Sequence, residues 1–428
     1  MKRKVVCLPG AMLPKDLDPG VEYFSIYSTV RDCQTVGYVA AGFMSDVRGA
    51  GICPDVNTWD FVSFSLAVSA ADQALDRDLS EDGWTREIAL TLAVHDVAVW
   101  TRITPELEKM LKYLSGDYWT LEFIEDKTPI PRFKSKIEPM ADCVTLLSGG
   151  MDSLVGAIDL VGGGRTPIFV SHTVRGNLPQ QKYFASTISQ SCKHFCWNKA
   201  IQLPQKSTGE ESTRARSIVF FAFAALAACK LNKDKNGRRK IVVAENGFIS
   251  LNVAMNPSRV GSLSTKTTHP IYMGMLQEIW DKLGLNLDIE MPYRFKTKGD
   301  MLLECSNQSL LKQLVDASTS CGRFGRYKMM HCGRCVPCMV RRAAYDKAHL
   351  MDGTEYFYSN LKNAGRGAHP NDVGAMAMRC VESHRQDFDA KILGGFTFAS
   401  QQERPLYLDV YKRGLAEIEA LLKSHRII

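Results

Sequence analysis

Apolar and polar residues alternate along Thr85–Val94, which predicts a half-buried strand, and Tyr118–Asp126 repeats the pattern. Between them, Thr104–Ser115 has a capping Thr, Pro at the next position and apolar residues three and four apart, the signature of a helix start and its buried face. Phe61–Asp76 reads as a further helix with a face of small residues. From residue 143 the pattern changes. Short apolar runs at 143–148, 166–172 and 239–247 alternate with helical periodicity over 152–162, 178–195 and 214–232. Strands separated by helices of this length imply right-handed βαβ units and a parallel sheet, with ligands at the carboxyl ends of its strands. An amphipathic helix over 406–426 closes the chain. The expected class is therefore α/β: an N-terminal α+β unit (1–126), a linker (127–141) within a stretch that holds three prolines, a parallel-sheet domain (142–352), and a largely helical C-terminal extension (353–428).

Composition narrows this picture only slightly. With 428 residues, 45% of them hydrophobic, the chain easily supplies buried cores, which excludes global disorder. A net charge of +7 speaks to association rather than fold; on this length it does not by itself favour nucleic acid, and an anionic small substrate suits it equally. The basic start of the chain is followed by an apolar patch broken by Pro and Gly, a poor signal peptide. No stretch reaches the roughly 18 apolar residues of a membrane span; Ser217–Leu231 comes nearest and reads as a buried helix. A cytoplasmic location follows as the expectation. There the 13 cysteines would be reduced, and clustered ones would favour metal ligation over disulfides.

Two motifs carry chemistry. Leu146–Leu160, LLSGGMDSLVGAIDL, sits between the first strand of the parallel sheet and its first helix, where backbone N–H groups and a helix N-terminus hold anions. Gly149 and Gly150 allow close backbone approach, Ser148 and Ser153 add hydroxyls, and Asp152 is suited to holding Mg²⁺ or positioning a donor. The string lacks the lysine of a Walker loop and the spacing of a dinucleotide fingerprint. It resembles the pyrophosphate loop of N-type ATP pyrophosphatases, which hold the β- and γ-phosphates of ATP while a substrate oxygen attacks the α-phosphate. The second motif is C-x10-C-x2-C-x2-C at Cys321, Cys332, Cys335 and Cys338. Its spacing fits a closed, tetrahedral structural zinc site, with Gly333 easing the turn; an Fe–S cluster is the alternative. His331 has no necessary role beside four thiolates and is expected at the surface. Cys192 and Cys196, four apart in an expected helix, match no thiolation pattern.

Together the two motifs resemble the 7-cyano-7-deazaguanine synthase (QueC) family over residues 142–350, about half of the chain. The resemblance implies adenylation of a carboxylate such as 7-carboxy-7-deazaguanine, with ATP, Mg²⁺ and a structural zinc. It implies nucleotide contacts from Leu147, Ser148, Gly149, Gly150, Asp152, Ser153, His172 and Arg216, with Asp152 and Lys298 as catalytic groups. The segment after the third strand, 244–270, is dense in polar residues, and Glu245, Asn246, Asn256, Arg259, Lys266, Thr268 and His269 are expected to bind the acid. Additional segments at both ends depart from a typical synthase and put the nitrile-forming step in doubt. In this the chain is similar to the QueC-like (QatC-type) proteins of bacterial anti-phage defence operons, which suggests an amine of a partner protein as acyl acceptor. A nitrile synthase using ammonia, and a non-catalytic scaffold binding nucleotide or RNA, are the alternatives. The first 126 residues contain no metal cluster, nucleophile motif or phosphate loop and are read as structural, dimerising or partner-docking.

Overall fold

The computed structural model describes residues 2–28, 34–40, 42–134, 137–138, 140–173, 178–253, 266–362 and 372–428. The N-terminal unit runs β1 (Arg3–Pro9), β2 (Val21–Ser28), β3 (Val36–Ala40), α1 (Met44–Ala50), α2 (Val56–Ala74), β4 (Glu87–Val94), α3 (Val97–Arg102), α4 (Thr104–Ser115) and β5 (Tyr118–Glu125). Its strands lie in the order β5-β4-β1-β2-β3, every neighbouring pair parallel. This corrects the expected α+β unit: the sheet is parallel, of the α/β kind. The periodicity is uninformative for β1 because both faces are covered, Val5 and Cys7 on one and Val6 and Leu8 on the other.

The second unit runs β6 (Cys143–Leu146), α5 (Met151–Gly162), β7 (Pro167–His172), α6 (Leu178–Ile188), β8 (His194–Trp197), β9 (Ile201–Gln202), α7 (Ile218–Ala228), β10 (Arg239–Val242), α8 (Gly247–Ser250), α9 (Pro270–Lys282) and β11 (Leu287–Glu290). Its sheet, β11-β10-β6-β7-β8, is parallel throughout, as expected, while the short β9 crosses over to pair antiparallel with β3. The helix expected over 178–195 stops at Ile188. His194–Trp197 is an edge strand instead, because Phe195 and Trp197 alternate with half-buried His194 and Cys196, a pattern that fits a pleated surface. Cys192 and Cys196 therefore share no helix.

The two sheets have the same spatial order: fifth, fourth, first, second and third strand. They also pack through equivalent helices. α2 and α7 each lead into a fourth strand and lie against one another; α4 and α9 each lead into a fifth strand and do the same. Both pairs run antiparallel. Asp72 near the end of α2 accepts from Ala215 N just before α7 (2.7 Å), and Asn57 at the start of α2 donates to the Leu283 carbonyl after α9 (2.9 Å). Lys282 at the end of α9 pairs with Glu106 at the start of α4 (2.5 Å), and the Tyr113 ring near the end of α4 meets the His269 ring before α9 at 5.6 Å. Like packs on like, as across the two-fold axis of a dimer. α7 is apolar all round and buried at every position but Phe220, which is what an all-apolar helix between two sheets requires. One continuous core holds both units.

α10 (Lys298–Leu303), α11 (Gln308–Leu314) and α12 (Val336–Lys347) cover the other face of the second sheet. α13 (Asp372–Glu382), α14 (Phe388–Gly395) and α15 (Glu403–Ser424) form a helical C-terminal region whose core includes Phe248 and Met339 as well as Tyr411 and Ile418 of α15. Among the described residues, no helix is long and apolar enough to cross a membrane.

Two buried carboxylates and two buried guanidiniums of the N-terminal unit pair beside the seam, where Asp72 also accepts from Ala215 N. Asp117 takes Arg77 at 2.7 Å and Arg86 at 2.7 Å, and Asp72 takes Arg86 at 2.5 Å. Burial works against the charge on Asp117, but Arg86 and Arg77 outweigh it and hold the carboxyl below its usual range. Asp117→Ala would leave buried Arg77 without its close carboxylate and Arg86 with Asp72 alone. The expected loss is about 3–5 kcal/mol of stability, measured by urea denaturation.

Candidate functional site

The glycine turn joins β6 to α5 at the carboxyl edge of the second sheet. Gly149 has φ +89°, a left-handed conformation that side chains rarely adopt. Ser148 Oγ lies 3.0 Å from Ser153 Oγ and accepts from Gly150 N at 3.2 Å, while Ser153 Oγ donates to the Gly150 carbonyl. No side chain caps α5, so the N–H groups of its first turn face the edge of the sheet. Gly156 sits where a Cβ would come 2.2 Å from Ala244 Cβ. That contact brings α5 hard against the exit of β10 and places Asp152 beside Glu245 and Asn246.

Asp152 is the hub. Its Oδ1 takes Lys298 Nζ at 2.6 Å, and its Oδ2 takes Asn246 Nδ2 at 2.7 Å and Asn246 N at 3.4 Å. Glu245 hydrogen-bonds the same carboxylate. Burial opposes the charge on Asp152, but Lys298 and hydrogen bonds from Glu245, Lys298 and Asn246 leave its carboxyl below the ordinary range. Burial and the neighbouring Asp152 push Glu245 well above it. The two carboxyls therefore titrate as a pair, with Asp152 the more acidic partner. Two adjacent carboxylates beside an open helix N-terminus are a donor set suited to a hard divalent cation once Glu245 gives up its proton.

Lys298 opens α10 through a capping box: Thr297 Oγ1 accepts from Asp300 N (3.0 Å) and Asp300 Oδ2 from Thr297 N (2.9 Å). α15 lies beneath. Glu417 accepts from Thr297 Oγ1 and from Gly299 N, while Arg413 pairs with Asp300 and donates to the Phe295 carbonyl at 2.7 Å. The C-terminal region therefore supports the turn that presents Lys298.

Cys321, Cys332, Cys335 and Cys338 are all buried, with their sulfurs within 4.8 Å of one another. Cys321–Cys335 and Cys332–Cys338 are 3.9 and 3.8 Å apart. Tetrahedral zinc with bonds of about 2.3 Å sets the sulfur–sulfur edge at about 3.8 Å, so the four thiols fit a single zinc ion. They stand too close together for one thiolate on each iron of a multi-iron cluster. Arg323 N and Cys332 N donate to Cys321 Sγ, and Cys335 N donates to Cys332 Sγ, each at 3.3 Å. From Cys338 on α12, Arg341 reaches the carbonyls of Val315, Asp316 and Ser318. Thr319 N then donates to the Gly149 carbonyl at 2.9 Å, which ties the cysteine knuckle to the glycine turn. His331 is buried rather than at the surface as expected: its Nε2 accepts from Ser320 N at 3.1 Å, and its ring packs on Phe324 and Tyr356.

The remaining residues named from sequence divide. His172, at the end of β7, is buried, and its backbone carbonyl shares Gln181 Nε2 with the carbonyl of Ser148. Arg216 is exposed just before α7, and Leu147 is buried at the base of the turn. Glu245 and Asn246 join Asp152; Asn246 also caps α8 through Ile249 N. Asn256 and Arg259 lie outside the described residues. Lys266 sits over the Tyr113 ring at 4.2 Å, half-buried Thr268 follows, and His269 is held between Tyr113 and Phe398. Burial, then Lys266, pushes the His269 pKa to about 4, and its Nδ1 caps Ile271 N. Among the described residues no contact joins these three to Asp152. Glu417, Arg341 and Lys199 were not legible as site residues, because no motif or spacing marks them. No protein-family model and no curated protein matches the chain.

Chelation or Cys338→Ser should remove about one zinc per chain, read by elemental analysis, and lower the melting temperature, since binding energy at a structural site is folding energy. Glu417 gives a pH test. Burial foremost raises its pKa from 4.5 to about 7. A raised carboxyl pKa means a stability contribution that is fully present below about 4.5 and lost as pH rises through about 7. Melts at pH 5 and pH 8 should show the native chain losing stability relative to Glu417→Gln at the higher pH.

Proposed function

We propose that the chain is an ATP-dependent ligase that activates a carboxylate as its adenylate and passes the acyl group to an amine. The observation that carries this reading is the Asp152–Lys298–Glu245 cluster at the mouth of the Ser148–Ser153 turn: two carboxyls and one ammonium, hydrogen-bonded together, beside a helix N-terminus suited to phosphate oxygens. Asp152 and Glu245 would hold Mg²⁺, which would neutralise charge on the phosphates. A carboxylate oxygen attacks the α-phosphorus and the bond to the β-phosphate bridging oxygen breaks, so pyrophosphate leaves with its electron pair. Lys298, at the turn, offsets the charge that develops on the transferring group. The amine then attacks the acyl carbon, AMP leaves, and the amine nitrogen loses a proton.

The resemblance to the QueC family supports 7-carboxy-7-deazaguanine as the acid. The segments on either side of the second unit support a protein amine, such as an N-terminus of a partner in a phage-defence operon, as the acceptor. The test is to incubate the full chain with ATP, Mg²⁺, the acid and candidate amines, and follow AMP and product mass. Asp152→Asn and Lys298→Met should each lower AMP formation by about 10²–10³-fold, the usual cost of one preorganised electrostatic group. Undiminished AMP release in both variants, or none from the native chain, would reject the reading. A nitrile formed from ammonia would redirect it to the synthase.

A further inference from the structure

A second group of polar side chains lies one residue away from the glycine turn, at the seam between the two units. His172 is only 6% exposed, yet among the described residues neither ring nitrogen has a hydrogen-bond partner. Its ring lies 4.8 Å from Phe220 and 6.0 Å from Phe223. Burial, then the charges of Lys199 and Arg216, push its pKa to about 3, so the ring is neutral and offers one donor and one acceptor. Lys199 follows β8, and its ammonium is held by Ser69 of α2. Asp72 is the nearest acid that acts on it, but that carboxylate is committed to Arg86 and to Ala215 N. Burial outweighs Asp72, Arg216 adds to the effect, and the Lys199 pKa falls to about 8. Gln181, fully buried, bridges this group to the turn by donating to the Ser148 and His172 carbonyls, and its own Oε1 has no partner. Lys199 and Arg216, the two cations whose charges act on His172, thus lie near a neutral ring whose nitrogens have no hydrogen-bond partner among the described residues.

We propose that His172, Lys199 and Arg216 form the subsite for the carboxylate of the acyl substrate, built jointly by the two units. The proposal rests on the adenylation reading. Displacement at phosphorus requires the attacking and leaving oxygens to lie roughly in line. With pyrophosphate on the α5 N-terminus, the acid must approach from the other side of the α-phosphate, and Gln181, bonded to the carbonyls of both Ser148 and His172, links the turn to this group. The aromatic walls suit a planar acid rather than a hydrated triphosphate, and a neutral imidazole between two cations suits a single negative charge. Lys199 and Ser69 give the N-terminal unit a part in binding substrate, and Asp72 holds the Arg214–Ser217 turn from below.

The experiment compares Lys199→Met and Lys199→Arg in the full chain. In AMP-release assays, Lys199→Met should raise the KM for the acid about ten- to hundredfold, the loss of one charged hydrogen bond, with the KM for ATP nearly unchanged; Lys199→Arg should stay close to native. A rise in the KM for ATP instead would place the α-phosphate there and overturn the proposal with the adenylation reading intact. So would equal behaviour of the Met and Arg variants. If the native chain releases no AMP, that reading fails, and binding decides the subsite separately. The acid, but not its carboxamide, should then raise the melting temperature of the native chain and leave that of Lys199→Met unmoved. Equal shifts with acid and carboxamide, or in both proteins, would overturn it.

Discussion

α2 lying antiparallel on α7 is the constraint from which the rest of the architecture follows. Both helices are apolar enough that neither could face water, so the two sheets are drawn into one core. Because the helices run in opposite directions, the ends of α2 and α4 arrive at the carboxyl edge of the second sheet rather than its amino edge. That edge carries the glycine turn. Ser69, Asp72 and Tyr113 of the first unit consequently contact Lys199, the segment before α7, and Lys266 with His269. An N-terminal unit without a motif of its own thereby becomes one wall of the candidate site. The identical strand order and the pairing of equivalent helices give the chain the form of a dimer folded into one polypeptide.

Three further supports converge on the same few residues. The four cysteines lock the start of α12, whose Arg341 gathers the carbonyls before Thr319, and Thr319 in turn holds Gly149. α15 holds the Thr297–Lys298 turn through Glu417 and Arg413. The contact of Gly156 with Ala244 sets the distance from Asp152 to Glu245. A side-chain constellation is only as well placed as the backbone under it. Here the zinc-type knuckle and the C-terminal helix supply rigidity that the glycine turn, chosen for close approach, lacks.

Local signals were legible where the chemistry itself is local. SGGMDS and the cysteine spacing each place their atoms by short-range geometry, and the structure finds the four thiols clustered and the turn at a strand–helix junction. α4 and α5 begin and end within a residue of the bounds that periodicity gave, because each apolar stripe faces a core, although Thr104 lies inside α4 rather than capping it. β1 gave no periodic signal, being covered on both faces, and so the N-terminal sheet was misread as α+β. His194–Trp197 was read as helix because four residues of edge strand are too short to interrupt a longer helical pattern.

What the sequence by itself determined is the candidate chemistry: a glycine-rich turn between strand and helix, an acidic group within it, four thiols at metal spacing and a lysine at a helix start. Tertiary structure alone decided which of these work together. Glu245 was grouped with the basic residues of its own loop, yet it lies against Asp152, while Lys266 and His269 are drawn away against Tyr113. Lys199, Asp72 and Glu417 carry no pattern and lie far apart in the chain. Antiparallel helix packing places Asp72 and Ser69 against Ala215 and Lys199, and the C-terminal helix places Glu417 under Thr297; long-range packing of that kind leaves no local trace in the order of residues.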